Sequence, residues 1–221
     1  MFRRLLDEQQ RHLRLLDLAT GAEARDVVQF RPRGETVTAV AIDGASILAG
    51  TTDAIYRIDG DSVMRIVAPC SVRGRLAERV VSIAPLGAGG LAATLALPGT
   101  DADWLAGGLV RVERNGFAWR CDVPGVDVPD APAHAVAAFG DVVYLATWEG
   151  LTRVQGPDSE LYARGDGTPA EPPTAVASDG HGGAWVGTWG GGAYHVSGTK
   201  VDVYRRERGG LVGHEAMALG R

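Results

Sequence analysis

Along this chain, short apolar bursts alternate with gaps rich in Gly and Asp, and the bursts come in four kinds that recur in a fixed order. The first kind reads VTAVAID or AHAVAAF, and the second SILAGTT, VVYLATW or AWVGTWG. The third reads AIYRID, LVRVE, LTRVQ or AYHVS, and the fourth SVMRIVA, GFAWRC, SELYAR or KVDVYRR. Each is a few residues long and enriched in β-branched and aromatic residues, which pack well on a pleated surface. Bounded by turn formers, such runs predict strands joined by hairpins.

The order repeats. The apolar triplets Ala39-Val40-Ala41, Ser82-Ile83-Ala84, Ala135-Val136-Ala137, Ala175-Val176-Ala177 and Ala216-Met217-Ala218 end at intervals of 43, 53, 40 and 41 residues. The long interval contains an extra piece, LALPGTDADWLAG (Leu95–Gly107). Aligning Thr94 with Thr147 makes the excess 11 residues and brings the period to about 42. Four strands per unit at that period is the signature of a β-propeller blade.

The clearest unit, D179-G-H-G-G-A-W185-V-G-T188-W-G-G-G, resembles the two-component regulator propeller repeat, whose pattern is roughly D-x-x-G-x-x-W-x-G-T-x-x-G-hydrophobic. VVYLATWEGLTRV and ILAGTTDAIYRI match it more loosely and lack the strand tryptophan. The resemblance implies a propeller that serves as a sensor module, in a family whose members usually have more blades.

The two ends of the chain complement each other. HLRLLDLATGAEARDVVQF reads as a third and fourth segment, with Leu5-Leu6 in the place of a second, while HEAMALGR at the far end reads as a lone first segment. Set apart from the insert, the chain holds 210 residues, five periods of 42. The expected fold is therefore all-β: a single five-bladed propeller over residues 1–221, with blades at 37–79, 80–132, 133–172, 173–212, and a shared blade made of 213–221 plus 1–36. Such closure removes exposed sheet edges, which otherwise invite aggregation. The rival reading of Met1–Leu18 as an amphipathic helix breaks at Gln9 and Gln10. A fragment of a larger ring is a third reading.

Composition changes this picture little. Most of the 31 glycines fall at the joins between bursts. A net charge of -5 argues against a nucleic-acid partner. Of the 22 basic residues all but Lys200 are arginine, which reflects codon usage more than chemistry. Cys70 and Cys121 form no motif and read as free thiols. No apolar run resembles a signal peptide or a membrane span, so the expected location is cytoplasmic, with no membrane partner.

Candidate chemistry gathers on one end of the blades. The turn between the second and third strands lies on the same face as the connection between blades. Those turns carry Asp53, the insert with Asp101, Asp103 and Trp104, then Trp148 and Glu149, then Trp189. An aromatic pair rimmed by carboxylates suits stacking plus hydrogen bonding, and an insertion with Trp and two Asp reads as a recognition loop. Trp185 sits inside a strand and is expected to be buried between blades. The five histidines have no ligand spacing, Gly190-Gly191-Gly192 precedes no helix and is not a phosphate cradle, and no catalytic set is visible. No cofactor or metal is expected. The reading is a non-enzymatic binding or sensor module for a protein segment or small polar ligand. The alternatives are a propeller enzyme acting on glycans or cyclic peptides, and a purely architectural ring.

Overall fold

The computed structural model describes residues 2–6, 13–17, 23–26, 35–67, 71–72, 75–76, 79–96, 106–115, 118–122 and 133–205. Strands β1 (Phe2–Leu6), β2 (Leu13–Asp17) and β3 (Glu23–Asp26) form a three-stranded sheet. The helical reading of residues 1–18 is thereby excluded for residues 2–6 and 13–17, which are strands. Sheet I comes next, from β4 (Val37–Asp43), β5 (Ser46–Thr51), β6 (Ile55–Asp59) and β7 (Ser62–Val67). A short hairpin, β8 (Ser71–Val72) and β9 (Arg75–Leu76), leads to sheet II. Sheet II comprises β10 (Arg79–Pro85), β11 (Leu91–Ala96), β12 (Ala106–Asn115) and β13 (Ala118–Asp122). Sheet III holds β14 (Ala133–Phe139), β15 (Val142–Thr147), β16 (Gly150–Gln155) and β17 (Asp158–Ala163). Sheet IV holds β18 (Pro173–Ser178), β19 (Ala184–Thr188), β20 (Ala193–Ser197) and β21 (Lys200–Tyr204).

All four sheets are antiparallel meanders whose strands pair in chain order. Their first strands pack on one another in sequence, β4 on β10, β10 on β14, and β14 on β18. A sheet between two others is buried on both faces. Accordingly every residue of β11 and β15 is buried, whereas β17 is mostly exposed; β5, in sheet I, is also buried throughout. The continuous apolarity of the second segments and the polarity of the fourth have the same cause: distance from the seams.

Each sheet carries a register shift at the same place in its first pair, at Val37/Ala39, Val80/Ser82, Ala133/Ala135 and Pro173/Ala175. A bulge inserts one residue and shifts the facing of the rest of the strand. Thus Val37 and Val40, three apart, join one cluster with Ile47, Ala49 and Ile58. The paired register also corrects the alignment of sheet II. Leu95 stands opposite Val80 as Thr147 stands opposite Ala133, so Leu95 and not Thr94 matches Thr147.

The seams are apolar with a few hydrogen bonds. Leu48 and Ile55 of sheet I meet Ile83, Leu91 and Val112 of sheet II. Ala84, Ala92 and Leu109 meet Val136, Val143 and Leu145 across the next seam. Tyr144 and Leu151 meet Val186, Tyr194 and Val196 across the third. The Thr38 hydroxyl donates to Val80 O at 2.6 Å, and the Tyr144 hydroxyl to Gly182 O at 2.5 Å.

Trp185 departs from expectation. In paired register it matches Leu48, Ala92 and Tyr144, all at most 1% exposed because the following sheet covers them. Trp185 itself is 37% exposed. It packs instead along its own sheet, with ring centroids 4.6 Å from His195 and 5.3 Å from Tyr204.

Candidate functional site

The turns expected to carry the site are built by one device. Thr51, Thr147 and Thr188 end the second strands of sheets I, III and IV and are fully buried. Their hydroxyls donate across the turn to Ala54 O at 3.1 Å, Gly150 O at 3.0 Å and Gly192 O at 2.8 Å. The side chain closes the hairpin by adding a second donor to the carbonyl across the turn, which in sheets I and IV already accepts the threonine's own backbone N–H. The residue after each threonine is thrust toward solvent, and in sheets III and IV that residue is a tryptophan.

Trp148 is 43% and Trp189 61% exposed. The structure brings them together: with His134, Pro172, Pro173 and Thr174 they line one cleft of about 610 Å³ between sheets III and IV. Trp148 is held from two directions. The His134 ring stands edge-on with centroids 6.4 Å apart, and the Arg164 guanidinium lies 5.5 Å from the indole centroid. Arg164 is in turn fixed by its backbone N–H to Glu149 O at 3.1 Å. Trp189 N–H donates to Pro172 O at 3.0 Å, which ties its turn to the entry of β18.

The other expected site residues are placed differently. Asp53 lies at the equivalent turn of sheet I, two seams from the cleft, and pairs with Arg65 Nη2 at 2.8 Å. Glu149 is exposed beside Trp148 but is not among the described residues lining the cleft. Asp101, Asp103 and Trp104 lie outside the described residues. Among the described residues the cleft wall is therefore apolar and carries no carboxylate, while Asp101 and Asp103 of the expected rim lie outside them. Four residues that the sequence reading missed, His134, Pro172, Pro173 and Thr174, enter from the first strands of sheets III and IV and the residue leading into β18. The signal was present: the connection between repeats ends on the same face as these turns.

The opposite end of the sheets carries aspartates already engaged within the fold. In the D-G-H-G-G turn, Asp179 Oδ1 accepts the N–H groups of His181 at 2.7 Å and Gly183 at 2.9 Å, while Oδ2 lies 2.9 Å from His195 Nε2. Burial pushes the Asp179 carboxyl up, but the His181 and Gly183 N–H groups and His195 outweigh it and hold it below the ordinary carboxylate range. Glycine supplies the positive φ of +79° at Gly180 and +93° at Gly182 that this turn needs. Among the described residues no group of three or more His, Cys, Asp or Glu is placed to hold a metal ion, and no helix is long and apolar enough to cross a membrane.

No family model matches the chain, and no curated protein sequence does. Its folded form is similar to solved structures. One is the extracellular domain of a putative hybrid two-component system from B. thetaiotaomicron, at TM-score 0.63 and 12% identity over 95% of this chain. The match spans 27% of that domain, so this chain covers about a quarter of its length. Another is the Nidogen/Laminin complex, at TM-score 0.59 and 12% identity, covering 89% of this chain and 76% of the other. A third is a gluconolactonase from Xanthomonas campestris, at TM-score 0.59 and 10% identity, covering 85% and 65%. The expected cytoplasmic location is corrected by the first of these: it has the same fold and is an extracellular domain, so the want of a long apolar run does not set the location. At these identities the likeness is one of fold alone: four-stranded antiparallel sheets of the propeller type, without bearing on the specific repeat family that Asp179–Gly192 resembles.

Proposed function

We propose that the chain is a non-enzymatic binding or sensor module of the two-component regulator propeller type, and that it takes up its ligand at the end of the sheets bearing Trp148 and Trp189. One observation carries the reading. Two exposed indoles, 41 residues apart in sequence, line a single cleft of about 610 Å³, a size and lining that suit a bound segment or small molecule. Loop equivalence adds Trp104, Asp101 and Asp103 from the sheet II connection to the same end. The apolar wall favours a protein segment over a small polar molecule.

The test is a screen of immobilised peptides and glycans with the parent and with Trp148→Ala/Trp189→Ala. Ligands retained by the parent are lost by the double variant, while its unfolding midpoint barely changes, since substitutions at exposed sites usually stay within about 0.5 kcal/mol. Retention of every ligand by the double variant would place the site elsewhere.

The fold reading extends in the same way. A fifth blade, with β1–β3 as its three outer strands and His214–Gly220 as its innermost, closes the ring. Support comes from the three-stranded β1–β3 sheet, which has the strand count of a blade lacking one strand. Deleting His214–Gly220 then broadens or abolishes the cooperative unfolding transition; an unchanged transition overturns closure.

A further inference from the structure

We infer that the Trp148–Trp189 cleft takes a proline-rich peptide in the polyproline II conformation, an inference that rests on the cleft being the binding site. The argument is one of hydrogen-bond complementarity. The described wall consists of two indoles, an imidazole, two prolines and Thr174, whose hydroxyl donates to Gly187 O at 3.4 Å. It contains no carboxylate and no carboxamide. A ligand with many N–H or O–H donors would leave them unpaired against such a wall, and unpaired buried donors weaken binding. An ordinary extended peptide brings one N–H per residue, and a sugar brings several hydroxyls per ring. A proline brings none.

The remaining features suit the same ligand. Pyrrolidine rings are flat and apolar and stack on indole faces. Polyproline II has no internal hydrogen bonds and is already ordered when free, so little conformational freedom is lost on docking. The receiving surface is ordered as well, since Trp148 is held by His134 and Arg164, and the Trp189 turn by Pro172 O. The described lining carries no charged residue, which matches an uncharged segment. Aromatic grooves that read PxxP segments work on this principle.

The experiment is calorimetric titration of the whole chain with a decaproline peptide, a Gly-Ser peptide of equal length, and a cello-oligosaccharide. Decaproline binds saturably and the Gly-Ser peptide does not. Trp148→Ala and Trp189→Ala each weaken decaproline by about tenfold or more, while Trp189→Phe, which keeps a ring, loses less than Trp189→Ala. Equal affinity for decaproline and the Gly-Ser peptide, or undiminished binding by Trp189→Ala, overturns the inference. Tryptophan-dependent binding of the oligosaccharide without decaproline binding also overturns it, yet leaves the cleft as the binding site. If no ligand in this set or in the wider screen depends on either indole, the site reading falls with it.

Discussion

Arg57 in sheet I and His195 in sheet IV occupy the same register, and each reaches an aspartate where the first strand of its own sheet gives way to the turn. Arg57 Nη1 lies 2.8 Å from Asp43 Oδ2, and His195 Nε2 lies 2.9 Å from Asp179 Oδ2. The contact ties the third strand to the turn between the first and second.

Asp179→Asn is expected to destabilise the chain by about 1–2 kcal/mol at neutral pH, by weakening two backbone contacts and the His195 pair. The folded carboxyl is held below its ordinary value. Its contribution is therefore fully present above the unfolded carboxylate range and is lost as pH falls through the lowered folded value. Denaturation curves of parent and variant should converge toward strongly acidic pH. A gap that stays constant on acidification would mean the carboxylate charge plays no part.

Tyr144 and Trp185 share a register but not an environment. Tyr144→Ala, at a seam, should cost about 3–5 kcal/mol, and Trp185→Ala clearly less, although it removes the larger ring. Tyr144→Phe isolates the bond to Gly182 O and should cost about 0.5–1.5 kcal/mol. Urea titrations of the three variants give the order directly.

Gly150 closes the turn after Trp148 and Glu149 at φ +149°, and a Cβ there would collide with Tyr162 O on the neighbouring strand. Gly140, at φ +57°, has open space around it. Gly140→Ala should therefore cost about 1–2 kcal/mol, the left-handed backbone alone. Gly150→Ala must also move a strand, and should cost more than about 3 kcal/mol. Comparable midpoints for the two variants would show that the β16–β17 contact yields easily.

Much of the fold was legible because the repeat states it many times. Segment order, turn positions and the strand character of Leu13–Asp17 are all visible in apolar bursts separated by glycine. The Trp148–Trp189 neighbourhood came from loop equivalence alone. Three things were not legible. The burial of Trp185 depends on what covers the far face of sheet IV, which no local pattern encodes. The one-residue alignment error at Thr94 arose because a β-bulge lets different residues satisfy the same spacing, and only paired register tells Thr94 from Leu95. The separation of Asp53 from the cleft was not legible because loop equivalence gives the end of the sheet but not the side-chain partner: Asp53 stays at its own turn and pairs with Arg65.

The chain-order pairing of strands also has a temporal meaning. Every hairpin joins neighbours in sequence, and each sheet rests on the one made just before it. Low sequence separation of contacts speeds folding, and domains mature from the N-terminus during synthesis. As the chain leaves the ribosome, the Leu48–Val112 seam can dry once β12 has emerged, long before β20 exists. The nascent protein thus presents one freshly made sheet face at a time to chaperones and to aggregation.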